Sequence, residues 1–250
     1  MTRIYIILIT SFSVLFHLTT NAYTNSYRDT LTPITSLTSS DNVRFKYKLP
    51  SALFLTGMAT ATLPPLHNLE ISIYNNVNSK PRTQNHADNY LQYTPAIAAF
   101  ALDAAGVKGK HQFAEKLALY ALSNFIAGSV VQPMKYSVHR ERPNKSNFKS
   151  FPSGHTTTAF AAAEFLHQEY GHLSPWISVA GYSTAAATAY LRIHNNAHWL
   201  GDVIAGAGIG IASTRLSYWL LPKIKKGLKK AGRKEAIGNS ETALSVKRPA

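Results

Sequence analysis

Between residues 49 and 221 the chain carries six apolar stretches with helical character, 49 to 63, 90 to 107, 113 to 134, 155 to 170, 174 to 192 and 200 to 221. No alternating strand pattern competes with them. Helices of this kind must bury their apolar faces on one another, so the expected fold is all-α, a six-helix bundle. The punctuation agrees. Asp88 is placed to cap the second stretch, Ser153 or Gly154 opens the fourth, Ser174 and Pro175 form an N-cap and first-turn pair, and Pro222 is expected to end the sixth. Residues 64 to 87, with Pro64-Pro65 and many asparagines, read as a long connection able to carry a short surface helix.

The 250 residues suit one domain of moderate size, and at 45% hydrophobic they can fill a core. Charged residues are only 15%, below the ordinary quarter or so. Helices packed in an apolar setting or against a membrane explain that scarcity. With no cysteine, a disulfide scaffold, a zinc-thiolate site, an iron-sulfur cluster and a cysteine nucleophile are all excluded. Chemistry here must use histidine, hydroxyls or carboxylates.

The termini divide the chain further. Arg3 precedes the apolar run from Ile4 to Phe16, and Thr20-Asn21-Ala22 supplies a small residue for cleavage, so residues 1 to 22 read as a signal peptide. Residues 23 to 48 read as a Ser/Thr-rich linker, 49 to 222 as the domain, and 223 to 250 as a basic tail. The tail holds nine Lys and Arg against Glu235 and Glu241, half of the net charge of +14. Following an apolar helix, it reads as an anchor to anionic headgroups. No helix-turn-helix, finger or aromatic-interleaved basic motif accompanies it, so nucleic acid is not an expected partner. Lys108, Lys110 and Lys116 join the tail on one side of a membrane by the positive-inside pattern, which puts 135 to 155 and 194 to 202 on the extracytoplasmic side. Glu164 and His167 interrupt the fourth stretch and Arg215 lies inside the sixth, leaving apolar runs shorter than the roughly 20 residues a span needs, and buried soluble helices would look similar.

Three blocks carry chemistry: 135 to 143, 151 to 155 and 192 to 202. Lys135 and Arg142 are seven apart and return to one face of a helical turn, where they can converge on an anion. Ser153-Gly154 before a helix offers a hydroxyl, free N–H groups and the positive end of the dipole, a phosphate cradle with His155 at its end. Arg192 adds a planar fork for two oxygens. His198 and Asp202 are four apart, so the carboxylate can hold the imidazole tautomer and stabilise its cation. Each piece also has a plain explanation: basic residues flanking a membrane segment, a helix start, a structural hydrogen bond. His194 and His198 mimic a metal spacing, but no Glu follows His194, and no metal is expected. His139 and Arg140 read as a solvated face, and Trp199 either lines a pocket or marks an interface.

Taken together, K-x6-R-P, P-S-G-H and R-x5-H-x3-D resemble the signature of the type 2 phosphatidic acid phosphatase superfamily, which includes class A acid phosphatases and vanadium haloperoxidases. The likeness covers residues 88 to 222 and is nearest to its bacterial lipid phosphatase branch. One departure is Leu191, where the family usually has a small residue. The resemblance implies a cofactor-free phosphohydrolase in which His198 attacks phosphorus, Asp202 orients and charge-balances it, and His155 protonates the leaving oxygen. Lys135, Arg142, Ser153, Gly154 and Arg192 would hold the phosphoryl oxygens. The expected substrate is a lipid phosphomonoester or pyrophosphate such as lipid A, phosphatidate or undecaprenyl pyrophosphate, met at the inner membrane with the site facing the periplasm. A soluble periplasmic acid phosphatase, a vanadate-dependent halide oxidase and a non-enzymatic membrane scaffold are the competing readings.

Overall fold

The structure, a computed structural model, describes residues 47–77, 83 and 85–246. The signal-like segment 1 to 22 and nearly all of the 23 to 48 linker lie outside the described residues. Among those described there are eight helices and no strand: α1 Lys48–Thr62, α2 Pro64–Val77, α3 Asp88–Leu91, α4 Thr94–Ala104, α5 Phe113–Val138, α6 Gly154–Tyr170, α7 Pro175–His194 and α8 Leu200–Val246.

All six apolar stretches are helical, and the count rises from six to eight for two reasons. The connection carries α2, and the second stretch divides into α3 and α4. Pro95 lies in the first turn of α4, where its missing N–H is harmless. In an uninterrupted helix it would delete the bond to the Leu91 carbonyl. The expectation that Pro222 ends the last helix fails, because α8 runs through it to Val246. Pro222 is exposed, and the Lys- and Ala-rich sequence beyond it favours helix. Lys225 also ties this part to Glu115 of α5 at 2.7 Å.

Helices α6 and α8 form the centre: α8 packs on α1, α5 and α6, while α6 also packs on α4 and α7. Alanines at 159, 161, 162 and 163, all fully buried, let neighbours come close to α6. Phe165 and Leu166 then meet Ala96, Ala99, Leu119 and Ile177 in the main core, each large side chain contributing about 1.5 to 3 kcal/mol by burial. Helix α1 lies along α8 with its backbone in contact. A Cβ on Gly57 would stand 2.5 Å from the Gly201 carbonyl, and one on Gly208 would stand 2.6 Å from that of Pro50.

The polar residues that interrupt the helices satisfy one another. Arg215 donates Nε and Nη2 to the two oxygens of Glu164 at 3.0 and 3.3 Å, and Gln168 adds a bond at 2.6 Å. Buried charges persist only when paired in this way. Helix α5 has 26 residues, is long and apolar enough to cross a membrane, and has only 22% of its apolar window buried.

Candidate active site

The ends of α5, α6, α7 and α8 meet at one end of the bundle, and loops tie them together. Helix α5 ends at His139, whose left-handed backbone (φ 49°) turns the chain back. The loop it starts is stitched to the next one: the Asn144 amide donates to the Asn196 carbonyl at 3.1 Å, and Trp199 Nε1 to the Glu141 carbonyl at 2.8 Å. Asn195 clamps residue 85, accepting its amide at 3.0 Å and donating to its carbonyl at 2.8 Å.

Each residue expected from the sequence is brought here. Lys135, in the last turn of α5, donates Nζ to the carbonyls of Lys149 and Pro152 at 3.0 and 2.8 Å. Arg142 is held by Asn147, Nε to Oδ1 at 3.1 Å. Ser153 takes the helix-start role: its fully buried Oγ accepts from the Thr156 amide at 3.4 Å and lies 2.9 Å from Thr156 Oγ1. The cradle is left to the first-turn amides of α6, which have no intrahelical partner. Above Gly154 the space is open, a Cβ there meeting nothing nearer than Lys135 Cε at 4.0 Å.

His198 is almost wholly buried, and its Nδ1 stands 3.5 Å from Asp202 Oδ2. That separation is at the limit of a hydrogen bond, and Nδ1 has no other partner. Both Asp202 oxygens are engaged: Oδ1 accepts from Arg140 Nη1 at 2.6 Å, and Oδ2 from Ser150 Oγ and from the Trp199 amide at 2.9 Å. His155 Nε2 lies 2.8 Å from Asn89 Oδ1. Arg192 Nη1 donates to Asp88 Oδ2.

Three cations share this space. Burial lowers the pKa of His198 to about 4, with Lys135 and Arg142 adding to the effect and Asp202 opposing it. Burial and then the charge of Arg192 lower His155 to about 4, against the pull of Asp88. Burial, followed by repulsion from Arg192, also lowers Arg142. Burial alone would raise Asp202, but His198, Arg140 and Ser150 more than offset it and keep it a carboxylate. A cluster of mutually repelling cations over a helix N-terminus is matched by an oxyanion, which would offset their repulsion. His198 Nδ1, Arg192 Nε, Asp88 Oδ1 and Asn196 Oδ1 are buried here without partners. Among the described residues no three His, Asp or Glu side chains gather as a metal site.

Three sequence expectations change: Lys135 and Arg142 do not share a helical turn, because α5 ends at Val138 and the chain turns back at His139. Arg140 is no solvated face: its side chain is 11% exposed and bridges Asp202 and Glu70. Asp88 does not cap a helix, since Ala87 holds that position and the buried Asp88 carboxylate serves Arg192. Ser150 and Glu70 carry no motif that marks them. Trp199 is half-buried and packs 5.1 Å from Tyr74, centroid to centroid.

Residues 116–226 match the PAP2 superfamily. Lipid A 1-phosphatase of Porphyromonas gingivalis is 44% identical over 134 residues, 53% of this chain and 30% of that protein, so the match spans under a third of the relative's length. The crystal structure of the first transmembrane PAP2 type phosphatidylglycerolphosphate phosphatase, from Bacillus subtilis, is 20% identical with a TM-score of 0.51 over 70% of this chain and 97% of that one. Aquifex aeolicus LpxE is 22% identical with a TM-score of 0.48 over 60% and 94%. The three motif blocks all fall within residues 116–226, so the chain carries a PAP2 superfamily domain there, and the all-helical fold agrees with it.

Proposed function

We propose that the protein is a metal-independent lipid phosphatase working through a phosphohistidine. The observation that carries this is the convergence of Lys135, Arg142, Arg192 and the α6 N-terminus around two histidines, one of them backed by Asp202. With Nδ1 facing Asp202, Nε2 of neutral His198 attacks phosphorus as the bond to the leaving oxygen breaks. That oxygen takes a proton from His155, which holds it once the bound phosphate anion offsets the Arg192 charge beside it. Water then attacks the phosphohistidine and gives its proton to His155, and the P–N bond breaks to release inorganic phosphate and neutral His198. Arg142, Arg192, Lys135 and the Gly154 amide hold the charge that spreads over the phosphoryl oxygens.

A lipid substrate is supported by α5, whose Phe113, Leu117, Phe125 and Tyr136 are exposed, unlike the core helix of a soluble enzyme. The 44% identical relative favours the 1-phosphate of lipid A among lipid phosphates. The signal-like N-terminus and the basic tail support a membrane location with the site facing the periplasm.

The test is phosphate release by detergent-purified protein in EDTA from lipid A, phosphatidate, undecaprenyl pyrophosphate and p-nitrophenyl phosphate. Lipid-selective release is expected, with an acid-labile, base-stable phosphoprotein that disappears in His198→Ala. Preference for the soluble ester would favour a periplasmic acid phosphatase instead, and release by His198→Ala would remove the nucleophile.

A further inference from the structure

Helix α2 lies outside the three motif blocks and outside the residues that match the family, yet it aims a carboxylate at the catalytic loop. Glu70 is 1% exposed. Its Oε1 accepts the backbone amide of Gly201 at 2.6 Å, next to Asp202 in sequence. Its Oε2 accepts from Arg140 Nη2 and lies 3.2 Å from His67 Nδ1. The other arm of Arg140, Nη1, holds Asp202. One guanidinium therefore spans two buried carboxylates, one on α2 and one beside His198.

The same face of α2 also supports the residue after the nucleophile. His67 and Tyr74 set their rings 6.0 and 5.1 Å from Trp199, and the Arg140 guanidinium lies 5.6 Å from the Trp199 centroid. Only glycine at 201 allows this approach, because a Cβ would collide with Thr60 Oγ1 and come within 3.2 Å of Glu70 Oε1. The electrostatic logic is direct. While Glu70 balances one arm of Arg140, Asp202 retains charge for the imidazolium that forms on His198. Without that balance the guanidinium draws on Asp202 alone, and the 3.5 Å contact to His198 weakens.

We infer that Glu70 is a positioning residue for phosphoryl transfer, holding Asp202 through Arg140 and the Trp199 to Gly201 turn through its amide contact. This rests on the reading of His198 as nucleophile. The groups bearing on the pair are His67 beside Glu70, Arg140, Ser150 and the Trp199 amide on Asp202, and Lys135 and Arg142 around His198.

The test compares full-length wild type, Glu70→Gln, Glu70→Asp and His198→Ala. Three quantities are read: kcat and KM for p-nitrophenyl phosphate, the thermal midpoint, and the NMR titration of His198 in 13C-histidine-labelled protein, identified by the signal lost in His198→Ala. Glu70→Gln keeps an oxygen for the Gly201 amide but loses the charge. It is expected to lower kcat about 10- to 100-fold, to leave KM in place and to move the His198 titration downward, while Glu70→Asp recovers part of the rate. Wild-type kcat with an unmoved titration in Glu70→Gln overturns the inference. Equal losses in both variants with an unmoved titration also overturn it, since that is what a merely structural contact gives. A wild type that releases no phosphate from any substrate in the panel overturns the function instead, and the His198 titration, which needs no turnover, still decides the role of Glu70.

Discussion

Arg192 is held by Asp88: Nη1 donates to Oδ2, while Arg192 Nε and Asp88 Oδ1 are buried with no partner of their own. On the proposed function, the guanidinium that would hold a phosphate is engaged by a carboxylate until an anion displaces it. Asp88→Asn is expected to tighten inhibition by orthovanadate roughly 3- to 10-fold, the equivalent of about 1 kcal/mol. The same change lowers kcat, because Asp88 favours the protonated form of His155. Inhibition constants and turnover measured side by side check this, and weaker vanadate binding would show that Asp88 orients Arg192 rather than competing for it.

Substitutions in the phosphate site should separate by role. His198→Ala removes the nitrogen proposed to attack and should bring phosphate release down to background. Arg192→Lys keeps the charge but loses the planar fork, and a loss of roughly 10-fold in kcat/KM is expected. Initial rates on the best substrate of the panel decide it. Equal rates for Arg192→Lys and wild type would take Arg192 out of the phosphate contacts.

Acid should weaken the folded protein before it protonates the nucleophile. His155 and His198 both fall from 6.5 to about 4 on folding, so between those values the unfolded chain binds more protons than the folded one. Their contribution to stability is complete above pH about 6.5 and is lost as the pH falls toward 4. Denaturation midpoints at pH 7.5 and 5 measure this. A midpoint that rises on acidification would contradict the buried neutral histidines.

The seam between α1 and α8 should tolerate no added carbon. Gly57→Ala puts a Cβ 2.5 Å from the backbone nitrogen of Ala205 and is expected to destabilise by about 1 to 3 kcal/mol. Gly227→Ala, with nothing within 4 Å, should leave the thermal midpoint unchanged or raise it slightly. A Gly57→Ala protein that melts with wild type would mean the two helices do not lie in backbone contact.

The motif residues are legible in the sequence because each block is continuous in the chain: four positions bring His198 near Asp202 at the start of α8, whereas Arg142 returns toward Lys135 only through the left-handed turn at His139. The six helices are legible from apolar runs. What the sequence hides are partners far apart in number: Glu70 reaches Arg140 and Gly201 across 70 and 131 positions, with no periodicity to announce it. Arg140 looks solvated because it follows a helix end, but the left-handed turn at His139 sends the chain back toward Asp202. Pro222 misleads for the opposite reason, since a local breaker signal is outweighed by the helix-forming residues that follow it.

One helix fixes both the carboxylate beside His198 and the start of the basic tail. Asp202 lies in the first turn of α8 and Lys223 comes 21 residues later on the same rod, a rise of roughly 32 Å. Helix α5 repeats the measure in reverse, from Glu115, paired with Lys225, to Lys135 at the site. The hydrocarbon layer of a bilayer is about 30 Å deep. At the proposed membrane location the two antiparallel helices would act as a ruler cut to one leaflet pair, with lysines gripping headgroups on one surface and the reacting phosphate held level with the other.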